Sequence, residues 1–391
     1  MNSSAPPKTT SSDDETESTV TPPPHVPLDD PPPAAPAPPA SFALAAPRPN
    51  GLAPDFSVVP LAFQSRVAMT VSCTDADGLP RVPNAGEVID HDAGRVQVMH
   101  NGVLVEEGCY YGTISGEIIR CLRGVHEPQE EVVFAALLDR LAATSTGEDP
   151  PSMIELGSFW AYYSLWFLNS FPHGRSICLE PDSHHLEVGK RNFAINGRTG
   201  TFLNAVVGET GGDIVSFKTE TSNGPVDLVS HSLDSLLSAC ELDHVDILLS
   251  DVQGGEVPFL LGASERLRRG AVRFLVVSTH DLSITGSATT HQQVRDILLW
   301  SGAQIIAEHS ISESFSGDGL IVASFDSRDR DFTVDVSHNR SRTSLFGEWE
   351  PRLEDYRLQL HEARTRLDAI ESTLPFRVRR KLLNIWTALR S

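Results

Sequence analysis

At 391 residues the chain has room for two domains, or for one large domain with extensions. Its apolar share of 40% is ordinary for a globular protein, while a formal charge of −21 argues against a general nucleic-acid binder, which needs a basic face for phosphates. No apolar run is long enough to span a membrane, and the N-terminus lacks the charged-then-apolar pattern of a secretory signal. Cys73, Cys109, Cys121, Cys178 and Cys240 form no CxxC motif, so reduced thiols in a cytoplasmic enzyme are expected.

Residues 1–58 carry Pro22-Pro23-Pro24, Pro31-Pro32-Pro33 and a Pro/Ala run to Pro39, which favours an extended, disordered tail. A small β-rich extension plus a helix is expected over 59–150. There Arg95–His100 and Val103–Val105 flank Asn101-Gly102, a two-residue hairpin signal. Glu127-Pro128 opens a helix whose Val133, Phe134, Leu137, Leu138 and Leu141 share one face, and Gly147–Pro151 breaks it. The region 151–326 alternates apolar runs with helical stretches, the pattern of an α/β domain. Strands are expected at 152–156, 176–180, 201–207, 226–229, 245–250, 272–279, 303–308 and 319–325. Helices are expected at 160–170, 184–196, 232–240, 256–268 and 288–301. The segment 347–391 reads as a helical, basic tail. Its end, Phe376–Leu389, is amphipathic and suits docking on protein or peripheral contact with a membrane surface.

Three acidic strand ends carry the chemistry. Glu155-Leu156-Gly157-Ser158 places a carboxylate before a glycine turn, where it can hold a cationic or amide-bearing group. Glu180-Pro181-Asp182, about 25 residues on, can take two ribose hydroxyls, because a carboxylate only accepts hydrogen bonds. Asp251 ends a third apolar strand before Gly254-Gly255. Neither GxGxxG nor GxxxxGK[ST] occurs, so no phosphate cradle is present. A ribose-bearing cofactor without phosphates, S-adenosylmethionine, fits best, and a nicotinamide-dependent oxidoreductase is disfavoured.

Asp251 and His280 sit at successive strand ends and are the candidate catalytic pair. The plainer readings are a helix N-cap for Asp251 and a structural role for His280. His291, His309 and the Ser314–Asp318 turn are further acceptor-site candidates. Asp251, Glu256 and His280 could ligate a divalent cation, but no tight ligand spacing demands one, and no metal is expected.

The motifs Met153-Ile-Glu-Leu-Gly-Ser-Phe-Trp-Ala-Tyr-Tyr-Ser-Leu165, Leu179-Glu-Pro-Asp182, Asn192–Gly197, Ser232–Leu237 and Val245–Glu256 come in an order that resembles the FkbM family of methyltransferases, over about 125–325. The resemblance implies a Rossmann-like, mostly parallel seven-stranded sheet whose last strand, Gly319–Phe325, is antiparallel. It also implies S-adenosylmethionine-dependent O-methylation of sugars or natural products, with Glu155, Gly157 and Ser158 beside the methionine part. Glu180, with Asp182, would hold the ribose. Phe159 and Ala161 stand where the family usually has asparagine and glycine. His126–Glu131 resembles a family element that closes over the cofactor, although proline and acids at a helix start are also ordinary. The tail around Leu367–Lys381 resembles those of bacterial glycan-assembly proteins. The expectation is therefore a methyltransferase acting on a glycan or small-molecule hydroxyl, the alternative being a non-catalytic scaffold in a glycan-assembly system.

Overall fold

The computed structural model describes residues 52–145, 149–339 and 364–365. The tail expected over 347–391 lies outside the described residues except for 364–365, and the proline-rich segment lies outside them up to residue 51. Residues 52–58, expected to be disordered with that segment, are held in place: Leu52 N donates to Cys121 O (3.2 Å) and Arg120 Nη2 to Ala53 O (2.8 Å).

The N-terminal region contains α1 (Leu61–Ser72), a short antiparallel sheet of β1 (Val88–His91), β2 (Gly94–Val98) and β3 (Leu104–Glu106), and then α2 (Gly112–Cys121) and α3 (Pro128–Thr144). The expected β-rich character is therefore corrected, since two unanticipated helices outweigh the strands. Val67 of α1 and Ile118 of α2 share an apolar cluster with Val59, Ala76, Leu122 and Val125, so helix-to-helix packing builds this region. The hairpin falls where Asn101-Gly102 placed it, but its loop has three residues. Met99 N reaches Val103 O (2.8 Å) and Gly102, at φ +85°, closes back on Met99 O (3.0 Å). His100 is drawn out of the ladder because its N–H binds Gly124 O (2.8 Å).

The main sheet runs in the order β12 (Gln304–His309), β13 (Gly319–Ser324), β11 (Val272–Thr279), β10 (Val245–Ser250), β4 (Ser152–Leu156), β5 (Arg175–Leu179), β6 (Thr201–Leu203). Neighbours from β11 to β6 are parallel, and β13 is antiparallel to both its partners. All residues of β4 and β11 are buried, as expected of strands covered on both faces. One apolar layer joins α3 and α4 (Tyr162–Ser170) to the sheet through Phe134, Leu137, Leu165 and Phe167. The other joins α6 (Leu233–Ala239), α7 (Glu256–Arg268) and α9 (Thr290–Trp300) through Leu236, Phe259, Leu260 and Leu298. The helices α5 (Ser183–Ile195) and α8 (Leu282–Thr285) complete the set used below.

One strand expectation needs revision. The run 201–207 is divided: β6 stays in the main sheet, while β7 (Val206–Val207) joins β9 (Val226–His231) and β8 (Ile214–Phe217) in a separate small sheet. The break has a local cause. Asn204 Nδ2 donates to the carbonyls of Glu180 and Pro181 (both 2.9 Å), which turns the chain away from β5.

Candidate active site

The carboxyl ends of β4, β5, β10 and β11 meet at one sheet edge, where open α/β sheets bind ligands. There a cavity of about 940 Å³ is lined by residues from these ends and from α1, the Tyr110-Tyr111 turn, the start of α3 and the Ser316–Asp318 turn.

The turn after β4 is tightly constrained. Gly157 N and Ser158 N both donate to Leu179 O (2.9 and 3.0 Å), and Gly157 has φ +75°. A Cβ at Gly157 would lie 1.7 Å from the Asp251 carbonyl oxygen. Gly157 thus packs its backbone directly against the end of β10. Phe159 and Ala161 also have positive φ (+37° and +57°), a conformation that non-glycine residues rarely adopt. Phe159 is held by its N–H to Glu180 Oε2 (3.0 Å) and by a flat stack on His185, centroids 3.6 Å apart.

Glu155 is buried, lines the cavity, and accepts Ser164 N at 2.9 Å, satisfying the start of α4; burial pushes its pKa up to about 7. Glu180 accepts one N–H on each oxygen, from Asp182 (2.9 Å) and Phe159, and burial raises it as well to about 7. With two acceptor sites per oxygen, Glu180 keeps lone pairs for further donors. Asp182 is in a different position. It caps α5 through His184 N (2.9 Å) and His185 N (3.3 Å), and also takes Thr221 N (2.7 Å) and Thr221 Oγ1 (2.7 Å). Burial opposes its ionisation, yet these donors hold its pKa well below the usual carboxylate range. Asp182 also lines the cavity, with both of its oxygens engaged by this cap and clasp.

Across the cavity, Asp251 and His280 do meet. His280 Nε2 lies 3.0 Å from Asp251 Oδ1, an ion-pair contact with imperfect hydrogen-bond alignment. Its Nδ1 lies 2.6 Å from Oε1 of Glu256, which is fully buried and also accepts Gly254 N (2.8 Å). Burial alone would push the imidazole down, but the two carboxylates raise its pKa to about 11. The helix-start glutamate weighed as a metal ligand therefore positions the histidine. Among the described residues no group of three or more His, Cys, Asp or Glu side chains could hold a metal ion.

The remaining candidates divide. Ser316 and Asp318 line the cavity. His291 sits against Thr279 Oγ1 (2.8 Å), and His309 is buried against Ser310 O (3.3 Å), with burial lowering its pKa to about 4; neither lines the cavity. His126 does line it, its Nδ1 lying 2.6 Å from fully buried Glu131. Tyr110, Tyr163, Glu130 and Arg66 also line it, although spacing alone gave none of them a role.

The fold is a mostly parallel seven-stranded α/β sheet with its cavity at the carboxyl ends of the central strands. Residues 146–305 match the family model described as Methyltransferase FkbM domain. The protein is an S-adenosylmethionine-dependent methyltransferase. Among curated proteins none matches the chain. Solved structures similar to it include precorrin-6y C5,15-methyltransferase from Geobacter metallireducens GS-15 (17% identity, 49% of this chain and 88% of that one, TM-score 0.31). Another is magnesium protoporphyrin IX methyltransferase from Synechocystis PCC 6803 with bound SAM (13%, 50% and 79%, TM-score 0.32). A third is the N-terminal domain of human METTL16 in complex with SAH (13%, 51% and 71%, TM-score 0.33). TM-scores this low add nothing to the assignment.

The site's chemistry suits the cofactor. Ser158 Oγ, 1% exposed, lines the cavity and has no hydrogen-bond partner among the described residues. The carboxylates of Glu127, Glu155, Glu180, Asp251 and Asp318 give the cavity the sign that a sulfonium requires.

Proposed function

We propose that the protein methylates a hydroxyl oxygen of a polyhydroxylated acceptor, a sugar of a glycan or a secondary metabolite, in the cytoplasm. The observation that carries this reading is the Asp251–His280–Glu256 chain, whose outer carboxylate is 38% exposed and lines the cavity. When bound, S-adenosylmethionine supplies an electrophilic methyl group. Asp251 accepts the hydroxyl proton as the acceptor oxygen gains its methyl, His280 fixes the carboxylate, and Glu256 fixes His280. Glu180 holds the ribose hydroxyls, with Gly157 and Ser158 lining the donor side. Tyr110 and Trp160, stacked 4.6 Å apart at 10°, offer an aromatic wall to the acceptor. Five free cysteines accord with a reducing compartment, and no helix among the described residues is long and apolar enough to cross a membrane.

The test supplies S-adenosylmethionine carrying an isotopically labelled methyl group, together with glycan and small-molecule fractions from the source cells. Label recovered as a base-stable methyl ether is the expected result, and label on nitrogen or carbon would overturn the O-methyl reading. The ribose role has its own check. Ionised Glu180 is the better acceptor, so S-adenosylhomocysteine should bind more tightly as pH rises through about 7. Glu180→Gln should weaken that binding about tenfold and reduce its pH dependence; calorimetry showing wild-type affinity would remove the role.

A further inference from the structure

The cavity holds two polar side chains that the proton transfer does not use, Arg66 of α1 and Asp318 of the turn before β13. Asp318 accepts no hydrogen bond among the described residues, and its one ion-pair contact is Arg66 Nη2 at 3.7 Å, longer than a hydrogen bond. The turn itself seats the guanidinium. Gly317, at φ +111°, packs against the arginine head, and a Cβ there would strike Cζ and both terminal nitrogens. A group of donors and a carboxylate thus stand side by side, partly exposed, each with bonding capacity to spare.

Their place relative to the base follows from the sheet. The antiparallel ladder of β11 and β13 ends at Thr279 and Gly319, and the residues just beyond it are His280 and Asp318. Asp251, just past the end of β10, lies on the other side of β11, 3.0 Å from His280 Nε2. The two aspartates therefore flank one imidazole, from strands about 10 Å apart. Burial raises the Asp318 pKa to about 6, with His280 opposing the rise and Asp251 adding to it, as neighbours across a shared space do.

A carboxylate beside a guanidinium sorts ligands by their chemistry. An anion would be drawn to Arg66 but repelled by Asp318 and Asp251, and an ammonium would be repelled by Arg66. A hydroxyl suits both, since it donates to the carboxylate and accepts from the guanidinium. We propose that Arg66 and Asp318 bind a second hydroxyl of the acceptor, on the carbon next to the one methylated, so that the acceptor is a neutral vicinal diol. Hydroxyls on adjacent carbons can bridge Asp251 and Asp318 across His280, whereas an isolated hydroxyl leaves Asp318 unpaired. The proposal rests on the reading of Asp251 as the base of hydroxyl methylation. It also makes acceptor choice depend on α1, which precedes the matched region 146–305.

The test gives the full chain S-adenosylmethionine with a labelled methyl group and the glycan and small-molecule fractions of the source cells. Periodate cleaves the bond between carbons that carry adjacent free hydroxyls, so fractions treated with it beforehand should take up little or no label. Mapping of the labelled product should place the methyl ether beside a carbon with a free hydroxyl. With the untreated acceptor, Arg66→Met and Asp318→Asn should each raise KM about tenfold or more, with kcat at saturation within about threefold. Affinity for S-adenosylhomocysteine should stay within about twofold of wild type in both variants; a fall matching the rise in KM would make the pair structural and overturn the subsite. Undiminished labelling after periodate, a methyl ether with no neighbouring hydroxyl, or an unchanged KM in both variants would overturn it too. Label on nitrogen or carbon would instead overturn the hydroxyl reading on which it rests.

Discussion

Gly157→Ala is expected to destabilise the protein by more than about 4 kcal/mol, at the extreme of single-substitution effects. The added Cβ would stand 1.7 Å from the Asp251 carbonyl oxygen and 2.8 Å from its carbon. Both are backbone atoms at the end of a central strand, so no side chain can rotate to make room. The φ of +75° adds the strain of a left-handed conformation for an L-residue. Relief requires the β4 turn and the end of β10 to separate, which moves Asp251. Urea unfolding with circular dichroism measures the loss, and a wild-type midpoint would show that the two strand ends are not in contact. Gly254→Ala is the control. Its φ is +108°, but the nearest atom to an added Cβ is 3.6 Å away, so backbone strain alone should cost about 1–2 kcal/mol.

Asp251→Asn is expected to lower kcat about 10²–10⁴-fold, the range for removing a positioned general base, while the protein stays folded and binds S-adenosylhomocysteine. An amide of the same shape cannot take the hydroxyl proton. Full activity would remove Asp251 from the reaction. The partner histidine has a stability signature of its own. The His280 pKa rises from 6.5 to about 11 on folding, so its contribution is complete below pH 6.5 and is lost as pH climbs toward 11. His280→Gln would leave Glu256 buried without its cation, and removing one partner of such a pair typically costs about 3–5 kcal/mol. The thermal midpoint of the variant should therefore fall most, relative to wild type, near and below neutrality.

Much of the α/β domain is legible in the sequence because buried parallel strands are unbroken apolar runs and their helices show one-sided patterns. Cys178 and Leu179 of β5, or Phe274 to Val277 of β11, need no tertiary information to be read. The strand ends Glu155, Glu180 and Asp251 are legible for the same reason, since a carboxylate that ends such a run must lie at the sheet edge. The uses of these carboxylates are harder to read. Asp182 follows Glu180 closely and looks equivalent, but its oxygens are taken by the α5 N-terminus and by Thr221, 39 residues away. Glu256 reads as an ordinary first-turn acid, and its bond to His280 spans 24 residues. Helices α1 and α2 are not legible from spacing: each buries few apolar residues, and these find partners only when the two helices pack together. Division of the 201–207 run depends on one amide, Asn204, reaching back to Glu180 and Pro181.

The cavity is walled on one side by Arg66, Tyr110 and His126, which precede the matched domain, and on another by Ser316 and Asp318, which follow it. These flanks serve as insulation. Charge pairs are strong only where water is kept away, and the ion pairs of His280 owe their strength to that seclusion. A chain cut back to 146–305 would lose both walls together with α3 and β13, leaving β11 and its His280 end without their cover and open to solvent. The histidine would then drift toward its ordinary titration range, and the pairing that now outweighs its burial would be screened away.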